Sequence, residues 1–378
     1  MKRAWTYLLV LCLLLPCAAD AAKARDASGV TASGGRLRGD IVGVSGESGE
    51  TALALRVDCP VPPEFTPEQL AVLTTEWIVP DETAVGEAMR ATGADWSDGA
   101  LKRFGPAFAA GSGAPLSPAA SGTDADGARE RARATALSFL LDCGLSEGHV
   151  IHLVRPEDEA RLYALNEAPE AREAFVRRSL AEWFTPRVDY TWVQLAFSLR
   201  GLPVSPCTWT GADGVGHSCV ANLYVGDSGE MRDFTLSYAP REVSAAPYAG
   251  AVKTPLEALE DLARQFDCIQ PVPREDERGR ALPAHWPVVL DIRPAYHTAD
   301  GVTFFPAWLV ATAWQDSDGQ TGMPWLVAID ARKAARTLPR PRWTARKGAR
   351  RWLATPWGIC RSFHRAHPRF RGVARCAG

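Results

Sequence analysis

Several short stretches hold residue types that do chemistry. Gly226-Asp227-Ser228-Gly229 has the core of a serine-nucleophile motif. A serine of that kind needs a neighbouring base and backbone N–H groups aimed at a developing oxyanion. Here Glu230 and Met231 follow in place of a second glycine, and no histidine lies in a Thr-Ala-Ala-His-like setting. Asp-Ser-Gly between two strands is also good turn chemistry, and the turn is the reading adopted. His149-Val150-Ile151-His152 and His364-Arg365-Ala366-His367 are His-x-x-His pairs. On a helix that spacing puts both rings on one face, but neither pair has the glutamate of a zinc-protease helix. Val150, Ile151 and Leu153 place the first pair on a strand, where its rings are expected on opposite faces. Asp316-Ser317-Asp318-Gly319 opens like a calcium loop but lacks the later ligands and closing glutamate. It reads as a hairpin turn. No glycine loop for phosphate or dinucleotide is present, so no catalytic residue, metal or cofactor is assigned.

Two further residue classes bear on function. Trp183, Trp192, Trp209, Trp286, Trp308, Trp314 and Trp325 gather in the strand-rich half. Exposed and coplanar, they would stack on sugars; buried, they are core. Seven cysteines follow the first 21 residues: Cys59, Cys143, Cys207, Cys219, Cys268, Cys360 and Cys376. Their odd number precludes complete pairing within the chain, and the absence of a Cys-x-x-Cys pair argues against structural zinc. The glycine-rich segment Thr208 to Ser218 reads as a loop folding back on itself, so a Cys207–Cys219 disulfide is expected.

The elements that position these residues are read from pattern. Ala52 to Cys59 alternates as a half-buried strand. Thr66-Pro67 opens a short helix, and Glu76 to Val79 reads as a second strand. Asp81 to Ala91, Ala128 to Cys143, Pro156 to Asn166 and Pro169 to Phe184 read as helices. Gly105 to Gly127 reads as a mobile loop. Strands follow at Tyr190 to Leu199, Cys219 to Val225 and Met231 to Tyr238. Thr254 to Phe266 is a helix with a Thr254–Glu257 capping box. Pro287 to Ala331 then reads as a three-strand antiparallel meander.

Bulk composition is that of an ordinary globular chain of 378 residues, long enough for one large core or two. The net charge of −2 hides an asymmetry. Ala331 onward holds 14 basic and no acidic residues, leaving 28 basic against 44 acidic in residues 1–330. An acidic body argues against nucleic acid as its partner. Lys2, Arg3, the apolar run Trp5 to Leu15 and Ala19-Asp20-Ala21 form an export signal with cleavage expected near Ala21. Cys17 follows Pro16 rather than a small residue, which disfavours a lipid anchor there. No span of the membrane is expected after signal removal. The basic tail, 332–378, reads either as a disordered arm making weak contact with anionic wall or lipid, or as translation of an unintended frame.

Residues 51–331 carry soft motifs in a fixed order. They are Leu55-Arg56-Val57-Asp58-Cys59-Pro60-Val61-Pro62, then Gly201-Leu202-Pro203-Val204, a capped helix, Pro306-Ala307-Trp308 and Ala328-Ile329-Asp330-Ala331. This order resembles a family of uncharacterised exported or lipoprotein-like proteins of Gram-positive bacteria. It is more distantly similar to extracytoplasmic regulators of cell-wall-sensing histidine kinases and to peptidase-propeptide-type domains. Arg332-Lys333 stands where that pattern usually has a glycine. The resemblance implies a two-part α+β envelope protein without established activity.

The combined expectation is an α+β fold: signal 1–21, flexible spacer 22–50, a helix-rich N-terminal part 51–185, and an antiparallel sheet packed on a helix, 187–331. The expected function is a non-catalytic exported envelope protein binding a protein or peptide partner. A carbohydrate- or wall-binding module is the alternative and an envelope hydrolase the third reading.

Overall fold

A computed structural model describes residues 29–44, 51–94, 102–104, 107–111, 125–165, 167, 169–182, 190–210, 216–263, 272–275, 281–316 and 318–333. The signal, Cys17, His364, His367 and the tail beyond Lys333 lie outside the described residues, as do Trp183, Cys268, Cys360 and Cys376.

In chain order the first strands are β1 (Thr31–Ser33), β2 (Arg36–Val44), β3 (Thr51–Pro60) and β4 (Ala71–Trp77). Helix α1 (Glu82–Ala91) precedes β5 (Lys102–Phe104) and β6 (Ala107–Gly111); α2 (Ala125–Asp142) precedes β7 (His149–Val154). The pair α3 (Pro156–Ala164) and α4 (Arg172–Glu182) leads to β8 (Tyr190–Ala196) and four short strands. These are β9 (Ser198–Leu199), β10 (Leu202–Pro203), β11 (Trp209–Thr210) and β12 (Gly216–His217). Then come β13 (Val220–Gly226), β14 (Met231–Ser237), β15 (Pro240–Pro247), α5 (Pro255–Ala263) and β16 (Val272–Glu275). The last are β17 (Ala281–Thr298), β18 (Thr303–Gln315) and β19 (Trp325–Asp330).

These strands form two large sheets. One has nine strands in the order β1-β2-β3-β17-β18-β4-β15, with β16 beside β17 and β19 beside β18. The other has six, in the order β5-β6-β14-β13-β8-β7. The expected helix-rich N-terminal part beside an antiparallel meander is therefore corrected: the chain is sheet-dominated. Strands from 51–185 and from 187–331 share both sheets. The larger sheet is also mixed, because β3 runs parallel to β17 at Arg56–Val288 and Val57–Val289. Pattern reading failed here because strand partners lie far apart in sequence, and local alternation does not name a partner.

The expected spacer is corrected as well. Gly34 and Gly35 have φ of 58° and 73°, and they close a two-residue loop between paired Ser33 and Arg36. Paired positive φ values are what a tight hairpin needs. Leu37 and Ile41 of β2 are buried in the core above the large sheet. Within the expected mobile loop, Ala107–Gly111 is β6, paired with β14 at Phe108–Leu236 and Phe234–Ala110. The expected helix at Thr66-Pro67 is a single turn, with Gln69 and Leu70 N–H bonded to the Thr66 carbonyl. The second strand starts earlier than expected, at Ala71.

Each sheet has its own core. Val193, Leu195, Leu223, Phe234 and Leu236 on one face of the six-stranded sheet meet Met89 of α1 and Phe139 and Leu140 of α2. On the nine-stranded sheet, Leu259 and Leu262 of α5 meet Leu55, Ile292, Trp308 and Val310. Asp81 caps α1 by accepting the N–H groups of Thr83 and Ala84. The Thr254–Glu257 capping box forms reciprocally on α5. The three-strand meander is present, with β18 paired antiparallel to β17 and β19.

Two glycines with the same φ of 78°, Gly301 and Gly319, separate backbone strain from crowding. A Cβ at Gly301 would lie 2.8 Å from the Trp209 ring, whereas one at Gly319 meets nothing within 4 Å. Gly319→Ala is expected to cost about 1–2 kcal/mol, the left-handed penalty alone. Gly301→Ala is expected to cost more, about 3 kcal/mol or above. Chemical denaturation of both variants checks the difference.

Candidate functional site

The Gly226–Gly229 segment is a structural turn between β13 and β14. Gly229 has a φ of 99°, and its N–H bonds to the Gly226 carbonyl at 2.9 Å. Asp227 receives a bidentate pair of bonds from Arg155, at 2.5 and 3.0 Å. Both side chains are largely withdrawn from solvent, with relative exposures of 15% and 11%. Arg131 Nε donates to the Asp227 carbonyl, and Thr135 Oγ1 to that of Gly229. Ser228 donates its hydroxyl to Glu230 rather than to an imidazole. A carboxylate two residues along the same turn holds the serine in the turn and leaves it no base of the histidine kind.

The first histidine pair departs from expectation in geometry. His149 lies opposite Ala196 and His152 opposite Gln194, with the register shifting between Val150 and His152. Ala196 and Gln194 are two apart on β8, so both histidines lie on the same face. The extra residue in β7 reverses the parity that strict alternation gives. The two rings still go to different neighbours. His149 Nε2 is 3.3 Å from Ser198 Oγ, and His152 sits 5.7 Å from the Trp192 ring. Burial pushes His152 down to about 4. Burial, then the charge of Arg293, lowers His149. Among the described residues, no group of three or more His, Cys, Asp or Glu side chains could hold a metal ion.

The remaining nominated residues are structural. Asp316 is 1% exposed; it accepts the N–H groups of Asp318 and Gln320 and pairs with Arg172 at 3.3 Å. Its carboxylate is spent on its own turn and on Arg172. Trp192, Trp209 and Trp308 are buried, while Trp286, Trp314 and Trp325 are half-buried. One parallel indole stack, Trp77 on Trp209 at 5.9 Å and 11°, belongs to a core cluster and its margin. Among the described residues no tryptophan is fully exposed.

The expected Cys207–Cys219 disulfide is corrected: both are free thiols. The loop does fold back, with β11 and β12 pairing Trp209 to His217, but the sulfurs have other uses. Cys207 Sγ donates to the Leu326 carbonyl at 3.3 Å, and the backbone of Ala328 also bonds to this thiol. The sulfur thus occupies the outer edge of β19. Cys219 is wholly buried in the core of the six-stranded sheet.

Two features escaped the sequence reading. The first is a polar and aromatic band on the sheet face opposite that core. Asn222 Oδ1 accepts both Trp192 Nε1, at 3.2 Å, and Gln194 Nε2, at 2.9 Å. Next in the band, Tyr190 meets Tyr224 edge-on with centroids 5.5 Å apart. Glu159 of α3 lies close enough for its charge to raise Tyr190, after burial, which is the larger cause. Burial pushes Glu159 itself up to about 7, against a hydrogen bond from Tyr163. No periodicity in α3 announces this, because the tyrosines arrive from β8 and β13.

The second feature is the free edge of β15. Among the described residues this strand pairs only with β4, from Pro240–Trp77 to Pro247–Ala71, with a bulge between Glu242 and Ser244. Val243 to Pro247 are all exposed, and Val243 is 61% exposed. The strand is fixed from beneath by Glu242, which accepts Arg200 Nε and Nη2 at 2.8 and 2.6 Å. Hydrogen bonds from Arg200 hold Glu242 below the usual carboxylate range. A strand edge held rigidly at one end and open to water is equipped to accept another strand.

Ser228→Ala is expected to leave stability within about 0.5 kcal/mol, and a serine-directed phosphonate should not label Ser228. Asp227→Asn is expected to cost about 3 kcal/mol, because it takes the negative charge out of a largely buried bidentate pair with Arg155. Denaturation curves read both. Peptide mapping without reduction is expected to return Cys207 and Cys219 as separately alkylated thiols. Comparison with known proteins finds no matching family model and no matching curated protein.

Proposed function

We propose that this is a non-catalytic, exported envelope protein that captures an extended peptide segment of a protein partner along the edge of β15. The observation that carries the reading is that edge, with five consecutive exposed residues and, among the described residues, a strand neighbour on one side only. Along any antiparallel strand, successive residues direct their N–H and C=O groups to opposite sides. Half of the backbone groups of Arg241 to Ala246 therefore point away from β4. An added strand satisfies them, and this supplies affinity without demanding a particular sequence.

Side chains set the limits of what fits. On the outward face Ser244 lies opposite Thr74, and Ala246 opposite Val72. These small residues leave room for bulkier alternate side chains of the incoming segment. Pro240 and Pro247 end the strand, so the paired stretch is short. An edge this size suits a transient contact, with affinity on the order of micromolar. The signal-like N-terminus and the resemblance of residues 51–331 to exported envelope proteins support the compartment. Burial of Trp192, Trp209 and Trp308 in the core weakens the carbohydrate alternative.

Proline replacement tests the edge directly. Ala245 and Ala246 face opposite hydrogen-bonding sides, so one donates towards β4 and the other outward. Of Ala245→Pro and Ala246→Pro, one is expected to fold normally and lose at least about tenfold in partner capture. The other is expected to lose about 3 kcal/mol of stability. Affinity capture from envelope extract, with circular dichroism on each variant, reads both. If both variants fold and retain the wild-type partner at wild-type yield, the edge is not the binding surface.

A further inference from the structure

β9 and β10 are joined by a two-residue turn, Arg200-Gly201, between paired Leu199 and Leu202. Both turn residues are left-handed, with φ of 51° and 75°. A hairpin of this kind favours Asn-Gly or Gly-Gly, because most side chains are strained at positive φ. Here an arginine takes the first position. Among the described residues, Arg200 and Tyr238 are the two non-glycine residues with positive φ. A residue held in an unfavourable backbone region points to a use for its side chain.

The Arg200 side chain joins two other segments. Nε and Nη2 donate to the Glu242 carboxylate of β15 at 2.8 and 2.6 Å, and Nη1 donates to the Glu68 carbonyl at 2.6 Å. A planar guanidinium makes this fork; a lysine does not. Glu68 lies in the single turn before β4, and the next two carbonyls of that turn are engaged as well. Gln69 accepts the Tyr296 hydroxyl at 2.8 Å, and Leu70 accepts the Tyr248 N–H at 2.8 Å. β15 is therefore hung from one turn at both ends. Glu242 is held through Arg200, and Tyr248, the residue after Pro247, is held directly. Between the two anchors lies the exposed stretch Val243 to Pro247, whose ladder to β4 is broken by the bulge after Glu242. Exposed side chains add little packing to hold it, so the anchors matter.

We propose that Arg200 is a positioning residue for β15, holding Glu242 and the bulge so that the open edge stays seated and ready to receive a strand. The inference rests on the strand-capture reading of this edge. An edge that is already ordered need not be ordered on binding. Apparent affinity falls in proportion to the fraction of time the edge is seated, so an edge seated a third of the time binds about threefold more weakly. The left-handed turn is the strain that this arrangement tolerates.

Arg200→Asn removes the fork and suits the turn better. In the full-length chain, hydrogen exchange from Glu242 to Ala246 is expected to lose at least about tenfold in protection, while amides of β8 and β13 keep theirs. The unfolding midpoint is expected to change little, because relief of the turn offsets the lost bonds. Recovery of the protein that the wild-type chain captures from envelope extract is expected to fall at least about threefold. Arg200→Gly, which also fits the turn, gives a second variant should the first fold poorly. Wild-type exchange from Glu242 to Ala246 in these folded variants would overturn the proposal. So would a lowered midpoint with protection lost equally over β4, β8 and β13, which is the mark of a purely structural residue. Local loss of protection with undiminished capture would overturn it too. If Ala245→Pro and Ala246→Pro still divide as expected, that last result removes the role of Arg200 alone; if both prolines also retain capture, the capture reading falls.

Discussion

One hairpin sends side chains into both sheet cores. β17 and β18 form one long hairpin, paired from Trp286–Gln315 to Thr298–Phe304. Near its turn, Tyr296 and Phe304 enter the core of the six-stranded sheet. Farther along, Ile292, Trp308 and Val310 enter the core beneath α5. The hairpin cannot shift register without dislodging both sets at once, because a one-residue slip turns every side chain to the other face. The turn is pinned accordingly: Asp300 Oδ1 accepts the N–H groups of Val302 and Thr303, and Tyr296 donates to the Gln69 carbonyl at 2.8 Å. Burial among these neighbours pushes the Tyr296 phenol up to about 12, so it remains a donor throughout the physiological range.

What the sequence made legible was local. The Thr254–Glu257 box announced a helix start, because a cap is a contact between near neighbours. The meander was legible because its turns lie between strands that pair with each other. Partners chosen at long range were not legible. β4 joins β18 and β15, and nothing in Ala71 to Trp77 names either. The Cys207–Cys219 expectation had the right loop and the wrong use for the sulfur, since Leu326 arrives from a strand far along the chain. The histidine pair fell to one extra residue in β7, which alternation over a six-residue strand does not reveal.

The surfaces left for function follow from how the strands are finished. β19 ends against Cys207, and β3 is closed by β2 and β17. β15 is tied to Arg200 through its own Glu242 and is exposed from Val243 to Pro247. Motif matching looked for function in side chains, yet the exposed resource on this strand is main chain. The band around Asn222 is the complementary case. There the side chains carry hydrogen-bonding capacity.

The short parallel contact between β3 and β17 carries a consequence for synthesis. Arg56 and Val57 emerge early, but their neighbours Val288 and Val289 appear only when most of the chain has been made. Until then the hairpin of β2 and β3 has half a ladder and no α5 to cover Leu37 and Leu55. Closing so large a loop is slow, and an uncovered strand invites wrong pairing while it waits. The N-terminal strands are thus the first made and among the last completed.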